Sequence, residues 1–195
     1  MDASDAKARI RNIIDSETTA YFSDDELTEF LEMATDEFVQ QYYSAFETTQ
    51  DSRDKLQDLV TSTDVAFVDG TPNTLSSIEG SNSYGRFLSA YVKASPNVNV
   101  KVIQISDISA YLNDPFNKAD SSNPVIYFQD SSVSSFGFTS STTCVFTYLQ
   151  HTTDFTKLNN TTHEEVCQIA ARKVLATLGD PRYQTVQAEI AERRV

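Results

Sequence analysis

Cysteine is scarce: Cys144 and Cys167 are the only two, which excludes a disulfide-stapled scaffold. Two reduced thiols in a cytosolic setting are the favoured reading, and a single bridge between them is the alternative. Glycine is equally thin, at five widely separated positions. No GxxxxGK[ST] or GxGxxG loop exists to bring backbone N–H groups up to a phosphate. His151 and His163 are the only histidines, and they lack the CxxC or HExxH spacing of a zinc site. The run His163-Glu164-Glu165 starts like HExxH, but Cys167 stands where the second histidine belongs. No segment has the glycine and closing glutamate of an EF-hand loop. No apolar stretch approaches the roughly 18 residues of a membrane span. The opening Met1-Asp2-Ala3-Ser4-Asp5 is acidic and lacks the apolar core of a secretory signal. Without such a signal, the Asn-x-Thr sequons at Asn159 and Asn160 read as chance matches. Positive charge is the last shortage: 15 basic residues face 28 acidic ones, net −13. That argues against a dedicated nucleic-acid binder, which needs a basic patch to release counterions. It leaves room for an acidic protein that lines a DNA path without gripping it.

What is present is enough to fold. The chain has 195 residues, 39% of them hydrophobic and 11% aromatic, the size of one domain or a domain with an elaborated arm. That is too apolar for a disordered chain. Charge is unevenly spread. Residues 1–60 hold fifteen acidic and five basic side chains, 61–160 eight and five, and 161–195 five of each. Composition shifts near the same places. The reading is an α+β protein of three parts: an N-terminal helical part over 1–62, an inserted β-rich part over 63–160, and a C-terminal helix and tail over 161–195 that packs on the first helices. The terminal helices form a bundle, and the insert forms one small antiparallel sheet with Ser/Thr-rich loops.

The helices announce themselves by period and caps. Ser4-Asp5 caps a short helix carrying Ile10, Ile13 and Ile14. Ser23-Asp24-Asp25-Glu26 is a capping box that opens a stripe of Leu27, Phe30, Leu31, Ala34, Phe38, Tyr42, Ala45 and Phe46 at spacings of three and four. The other side carries Glu29, Glu32, Asp36 and Glu37. A further helical piece is expected over 52–60. In the middle, Val98, Val100 and Val102 alternate with polar residues and predict the clearest strand. Strands are also expected at 125–128, 136–138 and 144–149, and with less support at 86–94. A short helix over 107–112 is capped by Ser106, and 131–143 reads as a flexible loop. Thr161-Thr162-His163-Glu164-Glu165 opens a C-terminal helix with Val166, Ile169, Ala170, Val174, Thr177 and Leu178 on one face. Gly179 and Pro181 stop it. A last helix from Tyr183 to Val195 carries Arg193 and Arg194 in its final turn, where cations suit the helix dipole.

Catalytic patterns do not emerge. Cys144 sits in a predicted strand and Cys167 in a helix, as small core residues do. No local signature groups either thiol with His151 and Asp154, and no GxSxG elbow exists. Paired carboxylates within 1–60 are more simply a solvated face opposite the apolar stripe. The expectation is a binding or structural protein, not an enzyme, with no cofactor and no metal.

Three motifs carry a resemblance. They are Tyr111-Leu112-Asn113-Asp114-Pro115-Phe116-Asn117-Lys118, the strand ending Thr147-Tyr148-Leu149, and His163-Glu164-Glu165-Val166 with Gly179-Asp180-Pro181-Arg182-Tyr183-Gln184-Thr185. Together with the Ser23-Asp24-Asp25-Glu26-Leu27 helix start, they resemble the head-to-tail connector (ring or adaptor) proteins of tailed phages, especially crAss-like phages. After Leu149 the chain departs from the pattern, with Gln150-His151-Thr152 in place of a proline. The resemblance implies a virion protein of the phage neck or tail, made in the host cytoplasm. Its partners would be a homo-oligomeric ring of about twelve copies, the portal protein, and further tail or ring proteins, with no membrane. DNA would pass through without sequence-specific binding. The alternative is a tail or accessory binding module of other symmetry, without catalysis. The candidate subunit or portal interface is Asn113, Asp114, Pro115 and Phe116 with Asp180, Pro181, Arg182, Tyr183, Arg193 and Arg194. The candidate acidic channel face is Asp24, Asp25, Glu29, Glu32 and Asp36. Phe116 itself reads first as a turn anchor in its own core, and second as a plug for a neighbour's surface.

Overall fold

The computed structural model describes residues 1–14, 22–79, 83–94, 96–116, 118–138, 142–180 and 182–192. The chain is α+β and folds as two compact units, Met1–Leu59 with Thr152–Val195, and Val60–His151. The insert therefore begins and ends earlier than the sequence predicts, and residues 152–160 belong with the helices.

The helical unit contains α1 (Ala3–Ile13), α2 (Asp24–Tyr43), α3 (Gln50–Leu56), α6 (His163–Leu178) and α7 (Tyr183–Glu192). Asp2, not Ser4 or Asp5, caps α1, and Asp5 returns the bond to the Asp2 backbone. Ser23 and Glu26 form the expected reciprocal box on α2. In that helix Leu27, Leu31, Ala34, Phe38 and Tyr42 are buried, at the three-and-four spacing that sets an inward stripe. Ala45 and Phe46 lie past its end, in turns, and are only half-buried. The piece expected over 52–60 is α3 followed by a 3-10 turn at Gln57–Leu59, and Val60 already starts a strand.

The α6 helix is the centre of this unit. It packs against α1, α2 and α7, and ten of its residues are buried. Leu178 is 49% exposed, because the last turn extends beyond the neighbours that cover the first three. Gly179 ends the helix at φ 67, and the Asp180 N–H reaches back to the Leu175 carbonyl at 3.0 Å. That is the left-handed stop glycine permits. Val186 and Ile190 of α7 are buried, as their four-residue spacing predicts.

The inserted unit contains two four-stranded sheets, not one. The first has the order β1 (Val60–Ala66), β8 (Thr143–Gln150), β3 (Tyr84–Val92), β4 (Val98–Asn99), all antiparallel. The second has the order β2 (Asn73–Thr74), β7 (Ser132–Phe136), β6 (Val125–Gln129), β5 (Lys101–Val102). Its β5–β6 pair is parallel and the rest antiparallel. Two short helices, α4 (Leu75–Glu79) and α5 (Ile108–Asn113), complete the unit. One core draws on both sheets: Val65, Ala90, Val92, Cys144, Phe146 and Tyr148 from the first, Ile126 and Val133 from the second. Phe128 of the second sheet meets Phe87 at 5.4 Å and Tyr84 at 6.4 Å between ring centres.

Two expectations change here for physical reasons. The alternating run 98–102 is not one strand. Val98 pairs with β3, Lys101 and Val102 pair with β6, and buried Val100 is the corner between the sheets. A strand that changes sheet keeps its alternation, so its period hides the corner. The Ser/Thr-rich stretch 131–143 contains β7, where Val133, Ser134 and Ser135 are buried. Asp130 takes φ 52 and lets the β6–β7 hairpin close in two residues, between the paired Gln129 and Ser132. The strand expected at 136–138 stops at Phe136, because Gly137 has φ 85.

Candidate functional site

In the inserted unit, apolar side chains accumulate where nothing covers them. The 3-10 turn Ile105–Asp107 and α5 bury no residue at all. Val102, Ile105 and Leu112 are 43%, 53% and 38% exposed, and Phe116 is 93% exposed. The spacing 105, 108, 112, 116 would give a helix one apolar side, yet that side is not used in this unit's core. Phe116 is thus no anchor in its own core.

The loop that holds Phe116 is built by its neighbours. Asn113 Nδ2 donates to the Ser109 carbonyl at 2.9 Å, and the Asp114 N–H to Ala110 at 2.8 Å, closing α5. Asp114 leaves the helix at φ −72, ψ 118, the extended geometry imposed by the following Pro115. Its carboxylate accepts from the Phe116 N–H at 2.8 Å, an Asx turn that points the chain back. The Ala119 N–H then bonds Tyr111 at 2.9 Å, and the Lys101 ammonium lies 4.8 Å from the Tyr111 ring centre. Four of the predicted interface residues, Asn113 to Phe116, therefore form one fixed knob, flanked by exposed Lys101 and Lys118.

The other predicted interface residues lie in the helical unit. Asp180 and Arg182 engage each other: the guanidinium meets the carboxylate at 2.8 Å, and the Arg182 N–H donates to Asp180 Oδ1 at 2.8 Å. This holds the Asp180 carboxyl below the usual range. Tyr183 opens α7. Pro181, Arg193 and Arg194 lie outside the described residues, as does Asn117 of the motif.

The acidic face divides. Asp25, Glu29 and Glu32 are exposed and Asp36 half-buried, at spacings of four, three and four that align them on one side of α2. Asp24 stands apart, paired with Arg11 at 2.5 Å, which lowers its pKa. Asp36 accepts from Gln40 Nε2 at 2.9 Å. Beside it Glu37 binds Lys173 at 2.7 Å and pairs with Arg172. Burial alone would raise the Glu37 carboxyl, but these cations hold it below its ordinary value. A shallow, open and mainly polar depression of about 550 Å³ lies here, lined by Met33, Asp36, Glu37, Gln40 and Gln41 of α2 and Lys173 of α6.

A polar cluster deeper in the helical unit escaped sequence reasoning. The Tyr42 hydroxyl donates to Glu165 Oε1 at 2.5 Å and accepts from Lys55 Nζ at 2.7 Å. Lys55 also meets Asp51 and Glu165, each at 3.2 Å. Burial and the Glu165 charge raise the Tyr42 pKa. Burial would lower that of Lys55, but Tyr42 and Glu165 together raise it. The cluster ties α2, α3 and α6 together through one lysine shared between two carboxylates and the Tyr42 hydroxyl, which is a packing role. Arg9 adds a two-pronged bond from α1 to Glu164 of α6. Only the reversed order of the pairs along the chain hints at this antiparallel packing.

The remaining chemical candidates are ordinary core groups. Cys144 and Cys167 are unbridged and buried, and burial pushes both thiols up to about 12. The His163 ring donates through Nε2 to the Leu158 carbonyl at 3.1 Å and sits edge-on to Phe155 at 4.9 Å. Among the described residues no three His, Cys, Asp or Glu side chains gather to hold a metal, and no helix is long and apolar enough to cross a membrane. No protein-family model matches the chain, and comparison with curated proteins finds no similar sequence.

Proposed function

We propose that this chain is a structural virion protein, a subunit of a head-to-tail connector ring that joins the portal to the tail and surrounds the DNA path. The observation that carries the reading is the uncovered knob. Phe116 is 93% exposed beside a helix that buries nothing. Large apolar side chains left exposed along one short stretch, Ile105, Leu112 and Phe116, suit an interaction site. Two further features support the reading. The knob coincides with the Leu112–Lys118 motif that resembles the connector family. The acidic stripe Asp25, Glu29, Glu32 and Asp36 suits a wall that must not hold DNA, because fixed negative charge repels phosphates. In this reading the subunits act by shape and charge alone, without cofactor or bond chemistry.

Copy number in purified native particles tests the proposal, by quantitative peptide mass spectrometry against the capsid and portal proteins. One copy per portal subunit supports the ring. A reproducible ratio unrelated to the portal favours a tail or accessory module of other symmetry. Absence from particles overturns both virion readings.

A further inference from the structure

We infer that β1 pairs edge to edge with β1 of a second copy of this chain, antiparallel about a two-fold axis through Thr63. Among the described residues β1 is the outermost strand of its sheet, paired over Val60–Ala66 with β8 alone. The Lys93 N–H donates to the Thr143 carbonyl at 3.1 Å, so Thr143 and every second residue after it in β8 turn their backbone groups toward β3. Alternate residues of an antiparallel strand face opposite neighbours. Cys144, Phe146 and Tyr148 therefore bond Val65, Thr63 and Thr61. Ser62, Asp64 and Ala66 point their N–H and C=O groups outward, and all three are exposed. No proline, glycine or bulge interrupts the strand, and its one charge, Asp64, is bound by Lys93 at 2.6 Å. An open edge of this length is a template for another strand.

Register and charge select a second copy as that strand. With the two β1 strands fully overlapped and antiparallel, Ser62 faces Asp64 of the other copy and Val60 faces Ala66, so outward N–H and C=O groups meet in pairs. Thr63 faces itself on the axis and Thr61 faces Val65, β-branched pairs that stabilise a sheet. A hydroxyl, not a like charge, stands opposite each Asp64. A register centred on Asp64, or in-register parallel pairing, sets the two Asp64 carboxylates against each other, which is unfavourable. A register centred on Ser62 leaves Val65 and Ala66 unpaired. The contact is isologous and closes after two copies, which uses up the edge without a growing fibre. It involves none of the knob residues Asn113–Phe116 and does not rest on the connector reading. One strand pair is a small interface, and the dimer is accordingly weak.

The test uses the full chain. The two native thiols are buried, and burial pushes both up to about 12, so an introduced cysteine reports alone. Directly opposite residues that do not exchange hydrogen bonds have Cα atoms about 4.5 Å apart, within the roughly 4.4–6.8 Å that a disulfide spans. Diagonal neighbours lie about 7–8 Å apart. On oxidation Thr63→Cys should therefore form a disulfide between copies, and Ser62→Cys, although more exposed, should not. In a second arm, sedimentation equilibrium follows the dimer. Ser62→Asp sets like charges opposite each other twice and should weaken it at least about threefold, whereas Ser62→Lys should strengthen it. Ser62→Pro removes an outward donor that β8 does not use, and should abolish pairing. Ser62 is exposed, so the charge variants spare folding and keep the test open should the proline variant fail to fold. Phe116→Ala should leave the Thr63→Cys disulfide unchanged. Wild-type chain that stays monomeric at every concentration overturns the inference. So does a chain that self-associates while Ser62→Cys crosslinks as readily as Thr63→Cys and Ser62→Asp has no effect. Absence of the chain from native particles, with the Thr63→Cys crosslink intact, removes the connector reading and leaves this pairing standing.

Discussion

At the scale of single residues, His163 couples this fold to pH. Its ring is buried at the start of α6, with Nε2 on a carbonyl and Nδ1 facing no donor. Burial is the main cause that lowers its pKa below 6.5; the Leu158 and Phe155 backbones oppose it, and the Met1 amine adds to it. A histidine with a depressed folded pKa binds fewer protons folded than unfolded, so stability rises with pH. The contribution is complete above about 6.5, the unfolded value, and is lost as pH falls from there through the folded value. Urea unfolding at pH 7.5 and 5.5 should show a lower midpoint at the acid end. His163→Gln, which keeps a donor for Leu158, should flatten that difference. An equal drop in the variant would place the titration elsewhere. The carboxylates with lowered pKa, Asp24, Glu26, Glu37, Asp120 and Asp180, lose their contribution only as pH falls below about 4.5, so the two windows separate.

At the scale of elements, two glycines distinguish backbone conformation from close approach. Gly70 has φ 68 and its absent Cβ would meet only the Phe136 ring, at 3.9 Å. Gly137 has φ 85 and its Cβ would lie 2.5 Å from the Asp120 carbonyl oxygen. Gly70→Ala should cost about 1 kcal/mol, the left-handed penalty alone. Gly137→Ala should cost about 3 kcal/mol or more, because backbone must move as well. Equal losses in urea titrations would mean that the end of β7 yields freely. The acidic side of α2 gives a functional counterpart. In the proposed connector ring, with Asp25, Glu29 and Glu32 changed to lysine, DNA release should slow, because the wall would attract phosphates. Release at the wild-type rate would remove the stripe from the channel.

These elements also show what the sequence made legible. The α2 start was readable because Ser23 and Glu26 contact each other three residues apart, and the buried stripe repeats within one helix. The β7 strand was not, because Ser134 and Ser135 are buried by pairing with β6 and not by their own polarity. The division of 98–102 between two sheets depends on partners 6 to 24 residues away, Val92 and Val125 among them. In the candidate site, the helix end and turn at Pro115 follow from proline chemistry, whereas the bond from the Phe116 N–H to the Asp114 carboxylate emerges only in the structure. The exposure of Phe116 did not, because exposure depends on what packs nearby, and no local period encodes a missing neighbour.

At the scale of the whole molecule, the proposed ring sets charge and the apolar knob against each other in self-association. Each copy carries −13, so copies repel at long range, while burial of Phe116 attracts at contact and is nearly indifferent to moderate salt. One exposed ion pair is worth about 0–1 kcal/mol. It does not outweigh repulsion between two strongly acidic bodies. Screening decides the sign. The Debye length falls from about 30 Å at 0.01 M salt to about 8 Å at 0.15 M, which removes most of the repulsion and leaves the apolar term. Self-association measured by sedimentation equilibrium should therefore strengthen as salt rises through that range. The Phe116→Ala chain should stay weakly associated throughout. A mass that falls with added salt would show that ion pairs, not the aromatic knob, hold the copies together. Alanine at position 116 would then leave the curve unchanged.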